Sequence, residues 1–221
     1  HPAPDLQKGY LNKLAQHYAS KSEDFKVGLL NLDSSQNLLF DMVEDFLHRA
    51  GYAISKNRVD GLPTVVVSGG QWFILDEKGQ KLSDNSWWRI FVRALHARRK
   101  TDVAVPVHLS HTVSKEAEQH GLNVHWTKSE PLFWMETASE LGNTTGENIE
   151  IFPYIEPIAS IGEVLHFLSS TREPLSAWQE TTYRKTARVL CPWEDKGRVM
   201  RELIQNSDPA STVYLDGIKE Y

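Results

Sequence analysis

Strand-like and helix-like segments alternate along most of this 221-residue sequence. The clearest pair is a strand predicted at residues 25–32, followed by a helix at residues 38–50 whose apolar residues fall on one face. Asp33 and Ser34 can cap the start of that helix, and Gly51 is a natural residue to end it. Alternation of this kind predicts an α/β fold with a mostly parallel sheet.

The same alternation continues beyond the first pair. Further strands are predicted at residues 64–67, 72–76, 103–107, 123–126 and 149–152. Further helices are predicted at residues 10–18, 87–95, 113–120, 131–141 and 157–170. Pro2 and Pro4 predict an extended linker before the first helix, and residues 142–148 are predicted to form a loop. We expect residues 84–182 to pack as one unit, with Val103, Val105 and Val107 buried in a central strand.

The pattern changes near residue 186. A strand predicted at residues 186–191 leads into Pro192, which suits the first turn of a helix. That helix, at residues 193–205, carries Trp193 and Met200 on an apolar face that we expect to rest on another apolar surface. We therefore expect a domain boundary near Arg184.

Composition excludes several classes of protein. The formal net charge of −5 provides no overall positive field, so we expect neither nucleic acid nor an anionic membrane surface as a partner. No stretch approaches the 18 apolar residues of a membrane-spanning helix. A single cysteine, Cys191, excludes an internal disulfide and a cysteine-rich zinc site, which favours a reducing, cytoplasmic location. The chain begins at His1 rather than Met, so we expect it to be a piece of a longer protein.

Three short motifs of catalytic or phosphate-binding sites are incomplete or wrongly spaced in this sequence. Ser68 follows a predicted strand, but Val66 stands where the nucleophile elbow of hydrolases needs a glycine. His108 and His111 are three residues apart in a predicted loop, whereas the metalloprotease motif places two histidines four apart on a helix. Residues 142–146 are glycine-rich but lack the Gly-Lys-Ser/Thr ending of a phosphate-binding P-loop. These patterns favour ordinary turns and polar loops.

Two further features have structural as well as functional interpretations. Trp87 and Trp88 could stack on a sugar or a base, but their helix also carries Ile90 and Phe91, so we expect at least one of the two indoles in the core. Cys191 has no neighbour that would activate its thiol, and we expect it to be buried and inert. The residue pattern alone therefore assigns no chemistry.

Two segments near the C-terminus carry a family resemblance. Residues 191–201, CPWEDKGRVMR, and residues 215–219, LDGIK, resemble the start of the last domain of the α-D-phosphohexomutases. The chain looks most like the mutase-like half of bacterial mannose-1-phosphate guanylyltransferase/phosphomannomutase proteins. Residues 73–83, residues 102–128 and the pair Leu175-Ser176 are similar to other segments of that family.

The resemblance implies a fold and a division into units. It implies α/β architecture of phosphohexomutase-like three-layer α/β/α domains with mostly parallel or mixed sheets, plus the start of a C-terminal α+β domain. Residues 1–83 would form a shortened second-domain-like unit and residues 84–184 a third-domain-like unit. Residues 185–221 would form the incomplete start of a fourth, through which the protein could associate with another copy.

The sequence departs from the family at the metal loop. The family's loop reads Asp-Gly-Asp-x-Asp-Arg, and its three carboxylates hold the Mg²⁺ that assists phosphoryl transfer in active members. The corresponding residues here are Ser68, Gly69, Gly70, Gln71 and Trp72. One hydroxyl and one amide cannot replace three carboxylates as magnesium ligands, so we expect no metal, no cofactor and no catalytic residue in this chain.

The family's sugar-recognition loop, Gly-Glu-x-Ser-Gly-His, survives only as Gly146 and Glu147. The resemblance implies a hexose phosphate as the ligand. It assigns Glu147, Thr127, Lys128 and Ser110 as candidate sugar-phosphate-binding residues. The hypothesis is a non-catalytic module of sugar-phosphate or sugar-nucleotide metabolism, of the mannose-1-phosphate and GDP-mannose type. Two alternatives stay open: a fragment of a working phosphomannomutase or phosphoglucomutase, and an unrelated α/β binding domain.

Overall fold

The computed structural model describes residues 4–22, 24–33, 37–57, 59–145, 156–180 and 191–206. Over these ranges the chain forms six strands and seven α-helices. The strands are β1 (Lys26–Asn31), β2 (Ala53–Ser55), β3 (Thr64–Ser68), β4 (Gln71–Leu75), β5 (Asp102–Pro106) and β6 (Asn123–Thr127). The helices are α1 (Pro4–His17), α2 (Leu38–Arg49), α3 (Asp84–Ala97), α4 (His111–Gln119), α5 (Pro131–Thr145), α6 (Pro157–Thr171) and α7 (Lys196–Asn206). Short 3₁₀ helices span Leu175–Trp178 and Trp193–Asp195.

The first sheet is mixed, with strand order β2-β1-β3-β4. Strand β1 runs parallel to β2 and β3, whereas β4 returns antiparallel to β3 and pairs Trp72 with Val67. The return is possible because Gly69 and Gly70 take positive φ angles of 57° and 75°, which other residues rarely adopt. This sheet and its helices confirm the predicted α/β fold class.

The second sheet pairs β5 with β6 in parallel. Val103 and Val105 are fully buried in a core with Phe91 and Val113 of the neighbouring helices α3 and α4, as predicted. The prediction for Val107 is wrong, because β5 ends at Pro106 and Val107 is only partly buried. Its N–H donates to the carbonyl of Thr127, so it extends the contact between the two strand ends.

Helix α6 packs against α3, and it also joins α1 and α2 in the core of the first sheet. It therefore contacts elements on both sides of residue 84, where the predicted unit of residues 84–182 begins. Gly162 allows the contact with the first sheet's core, because the absence of a side chain there lets the rings of Tyr18 and Phe46 lie against the helix. The division into units 1–83, 84–184 and 185–221 stays a prediction, since residues 181–190 lie outside the described ranges.

Several local predictions need correction. Pro4 begins α1 rather than a linker, because a proline at the first helical position sacrifices no hydrogen bond. Helix α5 continues to Thr145, beyond the loop predicted from residue 142. Cys191 is exposed rather than buried. The strand predicted at residues 149–152, and all of the strand predicted at residues 186–191 except Cys191, fall outside the described residues.

The segment from residue 191 to residue 206 forms the predicted helix, but its apolar residues stay in contact with water. Trp193 is 60% exposed, and its ring is covered by the ammonium group of Lys196 at 3.9 Å from the ring centroid. Leu203 is also exposed. Within the described residues, no helix is long and apolar enough to cross a membrane.

Candidate functional site

A cleft of ≈ 290 Å³ lies between β4, the start of α3 and residues that follow β5 and β6. Trp72 lies beside the end of β3, and His108 follows the end of β5. Trp134, on helix α5, follows the end of β6. In α/β proteins ligands bind outside the carboxyl ends of the strands, so this cleft is the candidate site. We call it the tryptophan cleft.

The start of α3 forms one side of the tryptophan cleft. Ser83 caps the helix, since its hydroxyl accepts a hydrogen bond from the N–H of Ser86 at 3.1 Å. Trp87 and Trp88 follow within the first turns and line the cleft. The Asn85 side chain accepts a hydrogen bond of 3.0 Å from the N–H of Ser110, which ties this helix end to the loop after β5.

The indole rings are held in place by one another. Trp87 stacks on Phe91 with a centroid distance of 5.5 Å and an interplanar angle of 7°. Trp88 meets both Trp87 and Trp134 edge to face, at 5.6 Å and 6.2 Å. The Trp134 indole N–H donates to the carbonyl of Lys128 at 2.7 Å. A ligand would therefore meet rings that are already oriented.

Trp87 and Trp88 have different surroundings. Trp88 is 5% exposed and belongs to the core, which confirms the expectation that at least one of the two would be buried. Trp87 is partly buried. The pair thus contributes both to the core and to the cleft wall.

Full charges are few along the cleft. Among the described residues that line it, Lys81 and Asp84 are the only Lys, Arg, Asp or Glu side chains, and both are exposed. The ammonium group of Lys81 lies 5.2 Å from the centroid of the Phe73 ring. Because one cation and one anion offset each other, the cleft has little net attraction for a doubly charged group.

The turn from Ser68 to Trp72, which the sequence resemblance aligns with a metal loop, is organised by a carboxylate that follows β1. Both oxygens of Asp33 accept from the N–H of Gly69 at 3.0 Å, and one also accepts from the Asn37 amide at 2.6 Å. The Gly69 N–H, together with the Asn37 amide, holds the pKa of Asp33 below its usual value. The carboxylate is thus committed to N–H donors.

The residues of this loop do not fit a magnesium ion. The turn from Ser68 to Trp72 contains no carboxylate, and the Trp72 side chain lines the cleft. Over the described part of the chain, no three His, Cys, Asp or Glu side chains are grouped so that they could hold a metal ion. The turn therefore provides no carboxylate ligands for a metal-assisted reaction.

The candidate sugar-phosphate residues that the structure describes lie at the same sheet edge. Thr127 ends β6, is buried and accepts a hydrogen bond from the Thr137 hydroxyl at 3.3 Å. Lys128 is exposed, with its ammonium group 4.1 Å from the centroid of the Phe133 ring. Lys128 is therefore the accessible cation of this group.

The structure gives less support to Ser110 and Glu147 as binding residues. Ser110 caps α4 by accepting from the N–H of Thr112, and its hydroxyl donates to the Glu180 carboxylate at 3.5 Å. That carboxylate would repel a phosphate group. Glu147 lies outside the described residues. The binding roles of all four residues stay predictions.

Sequence reasoning does not identify the cleft itself. It includes Trp72 only in the turn that the resemblance aligns with a metal loop, and it does not single out Trp134. The available signal is positional: Trp72 follows the turn after the strand predicted at residues 64–67, and Trp134 lies in the helix predicted after the strand at residues 123–126. Ligands of α/β proteins bind near such strand ends.

Comparisons with known proteins support the fold. No family model and no curated protein sequence matches the chain. A solved structure of a phosphoglucomutase/phosphomannomutase family protein from Burkholderia thailandensis is similar, with a TM-score of 0.59 and 8% sequence identity. The match covers 78% of this chain and 46% of that one, so the chain spans less than half of its structural relative.

Proposed function

We propose that this chain is a non-catalytic phosphohexomutase-like module that binds a hexose phosphate at the carboxyl ends of its strands. The similarity of fold to a phosphoglucomutase/phosphomannomutase family protein supports the module. The observation that carries the loss of catalysis is the loop from Ser68 to Trp72, in which glycines and a tryptophan replace the family's carboxylates.

Phosphoryl transfer depends on positioning and on neutralising the negative charge that spreads over the transferred group. The described site offers neither a metal site nor a cluster of cations for this purpose. Asp33 adds a negative charge next to Gly69, where a phosphate would otherwise meet a free N–H. Binding of a sugar phosphate can survive this change because it needs only a few polar contacts.

Lys128 would make the main contact with the phosphate. Its ammonium group is exposed and its backbone carbonyl accepts a hydrogen bond from Trp134 of the cleft, whereas the hydroxyls of Thr127 and Ser110 already have protein partners. Glu147 would accept hydrogen bonds from the sugar hydroxyls. This assignment makes Lys128 the residue on which phosphate affinity depends.

We also propose a wider role for the module. The module would serve sugar-nucleotide metabolism of the mannose-1-phosphate or GDP-mannose type, next to a catalytic domain. The exposed Trp193 and Leu203 of the segment after residue 191 would help it to associate with another copy. A fragment of an active mutase is the alternative, and it requires metal ligands from outside the described residues.

Calorimetry on the purified chain tests the binding proposal. We expect glucose 6-phosphate or mannose 1-phosphate to bind, and we expect Lys128→Met to weaken binding at least about tenfold, since charge-assisted hydrogen bonds contribute about 1.5–3 kcal/mol. Lys13→Met, at an exposed lysine on α1, is the matched control and should leave affinity unchanged. Equal affinities of the two variants would overturn the role of Lys128. Absence of binding would overturn the ligand assignment.

A further inference from the structure

We infer that the tryptophan cleft binds the sugar ring of the hexose phosphate, so that the ring contributes affinity of its own in addition to the contact between Lys128 and the phosphate. The inference deepens the proposed function and rests on it for the sugar class. It assigns recognition of the ring to Trp72, Trp87 and Trp134.

The size and walls of the cleft suit one small ring. Its volume of ≈ 290 Å³ lies just below the roughly 300–1,000 Å³ found for small-molecule sites. Four of the chain's seven tryptophans line it, on segments far apart in sequence. The C–H faces of a pyranose are apolar and pack against indole faces, so the cleft offers a hexose a matching surface.

The polar groups at the cleft suit hydroxyl groups better than a phosphate. The Asp84 carboxylate can accept hydrogen bonds from sugar hydroxyls, and the Lys81 ammonium can donate to them. For a phosphate dianion, attraction to Lys81 is offset by repulsion from Asp84. A neutral ring with several hydroxyls uses both side chains.

The rings are also fixed before any ligand arrives. The stack of Trp87 on Phe91 and the edge-to-face contacts of Trp88 limit their motion, and the Trp134 indole is bonded to the backbone at Lys128. Oriented walls reduce the entropy cost of binding a small ligand. Because this entropy cost is reduced, a sugar that carries no charge can bind.

Calorimetry with four probes tests the inference: methyl α-mannopyranoside, mannose 6-phosphate, adenosine and inorganic phosphate. Both sugars should bind, and mannose 6-phosphate should bind about tenfold more tightly because its phosphate makes one charge-assisted bond. Trp72→Ala and Trp134→Ala should each weaken both sugars about tenfold, the size of effect seen when a stacking ring is removed. Trp193→Ala, at an exposed tryptophan away from the cleft, is the matched control and should leave both affinities unchanged.

A second measurement avoids dependence on the folding of the variants. In wild-type protein, the sugar should shift the indole N–H resonances of Trp72, Trp87 and Trp134 in an NMR titration and leave that of Trp193 in place. Binding of the phosphorylated sugar alone would overturn the inference and leave the proposed function standing. Tighter binding of adenosine, or shifts confined to Trp193, would also overturn it. Failure of every probe would overturn both proposals.

Discussion

The guanidinium group of Arg98, at the end of α3, lies 3.1 Å from the carboxylate of Glu163 in the middle of α6. Glu163 is 1% exposed, whereas the Arg98 side chain retains 23% exposure. The buried carboxylate is therefore stabilised by Arg98, whereas the guanidinium group is also in contact with water. The pair joins the helix that lines the cleft to the core of the first sheet.

Removing the arginine should therefore destabilise the protein strongly. Arg98→Met keeps the aliphatic stem but leaves a buried carboxylate without its cation, and we expect a loss of about 3–5 kcal/mol in the free energy of unfolding by urea. Arg198→Met breaks an exposed pair with Glu202 and should leave the free energy of unfolding nearly unchanged. Similar losses for the two variants would contradict the structural importance of the Arg98–Glu163 pair.

Gly162 should be intolerant of a methyl group, although it lies within a helix. A Cβ atom there would stand 2.7 Å from Cδ2 of Tyr18 and 2.9 Å from Cζ of Phe46. We expect Gly162→Ala to destabilise by about 1–3 kcal/mol, because overpacking outweighs the gain of about 1 kcal/mol in helix propensity.

Gly9 on helix α1 provides the control for that prediction. A Cβ atom there meets nothing within 4 Å, so Gly9→Ala should stabilise by up to about 1 kcal/mol. Thermal unfolding of the two variants is the measurement. Stabilisation by Gly162→Ala would show that α6 does not pack on Tyr18 as described.

His166 should make stability depend on pH. Burial lowers the pKa of His166 below its usual 6.5, although its Nδ1–H donates to the Ala19 carbonyl at 2.8 Å. The unfolded chain then binds the proton more readily than the folded chain. His166 therefore contributes to the free energy of unfolding above about pH 6.5, and this contribution is lost as the pH falls below that value. In His166→Asn this part of the pH dependence should vanish. An NMR titration of the wild type in which His166 titrates at or above 6.5 would contradict the prediction.

The loop from Ser68 to Trp72 should not collect divalent cations. Mn²⁺ broadens the NMR signals of nearby amides, and we expect no selective broadening at Gly69 and Gly70, with or without a hexose phosphate. The reason is the lack of carboxylates in the turn and the commitment of Asp33 to N–H donors. Saturable broadening at these two glycines that a chelator reverses would show a metal site.

Local sequence signals predict much of the secondary structure. The helix from Leu38 to Arg49 is visible from its apolar face and from Gly51, which has the positive φ of 80° expected at its end. The helix predicted at residues 87–95 is also present, within α3, which Ser83 caps. These features depend on neighbouring residues, which is why the sequence reveals them.

The features that the sequence does not reveal depend on contacts between distant segments. Periodicity shows an apolar helix at α6 but cannot show that Gly162 receives Tyr18 and Phe46. The candidate site also depends on contacts between distant segments, since Trp72 and Trp134 come together only through the folding of two sheets. Residue types at strand ends can suggest such a site, but they do not identify which of them share one cleft.

Turnover measured in the presence and absence of a chelator tests the central claim most directly. The chain, and the longest natural protein that contains it, would be assayed for conversion of glucose 1-phosphate and mannose 1-phosphate to the 6-phosphates, with Mg²⁺ and a bisphosphate activator. We predict rates equal to the control without protein, although the sugar phosphate binds. Turnover well above that control, assigned to residues of this chain by loss in Lys128→Met and abolished by the chelator, would contradict the claim.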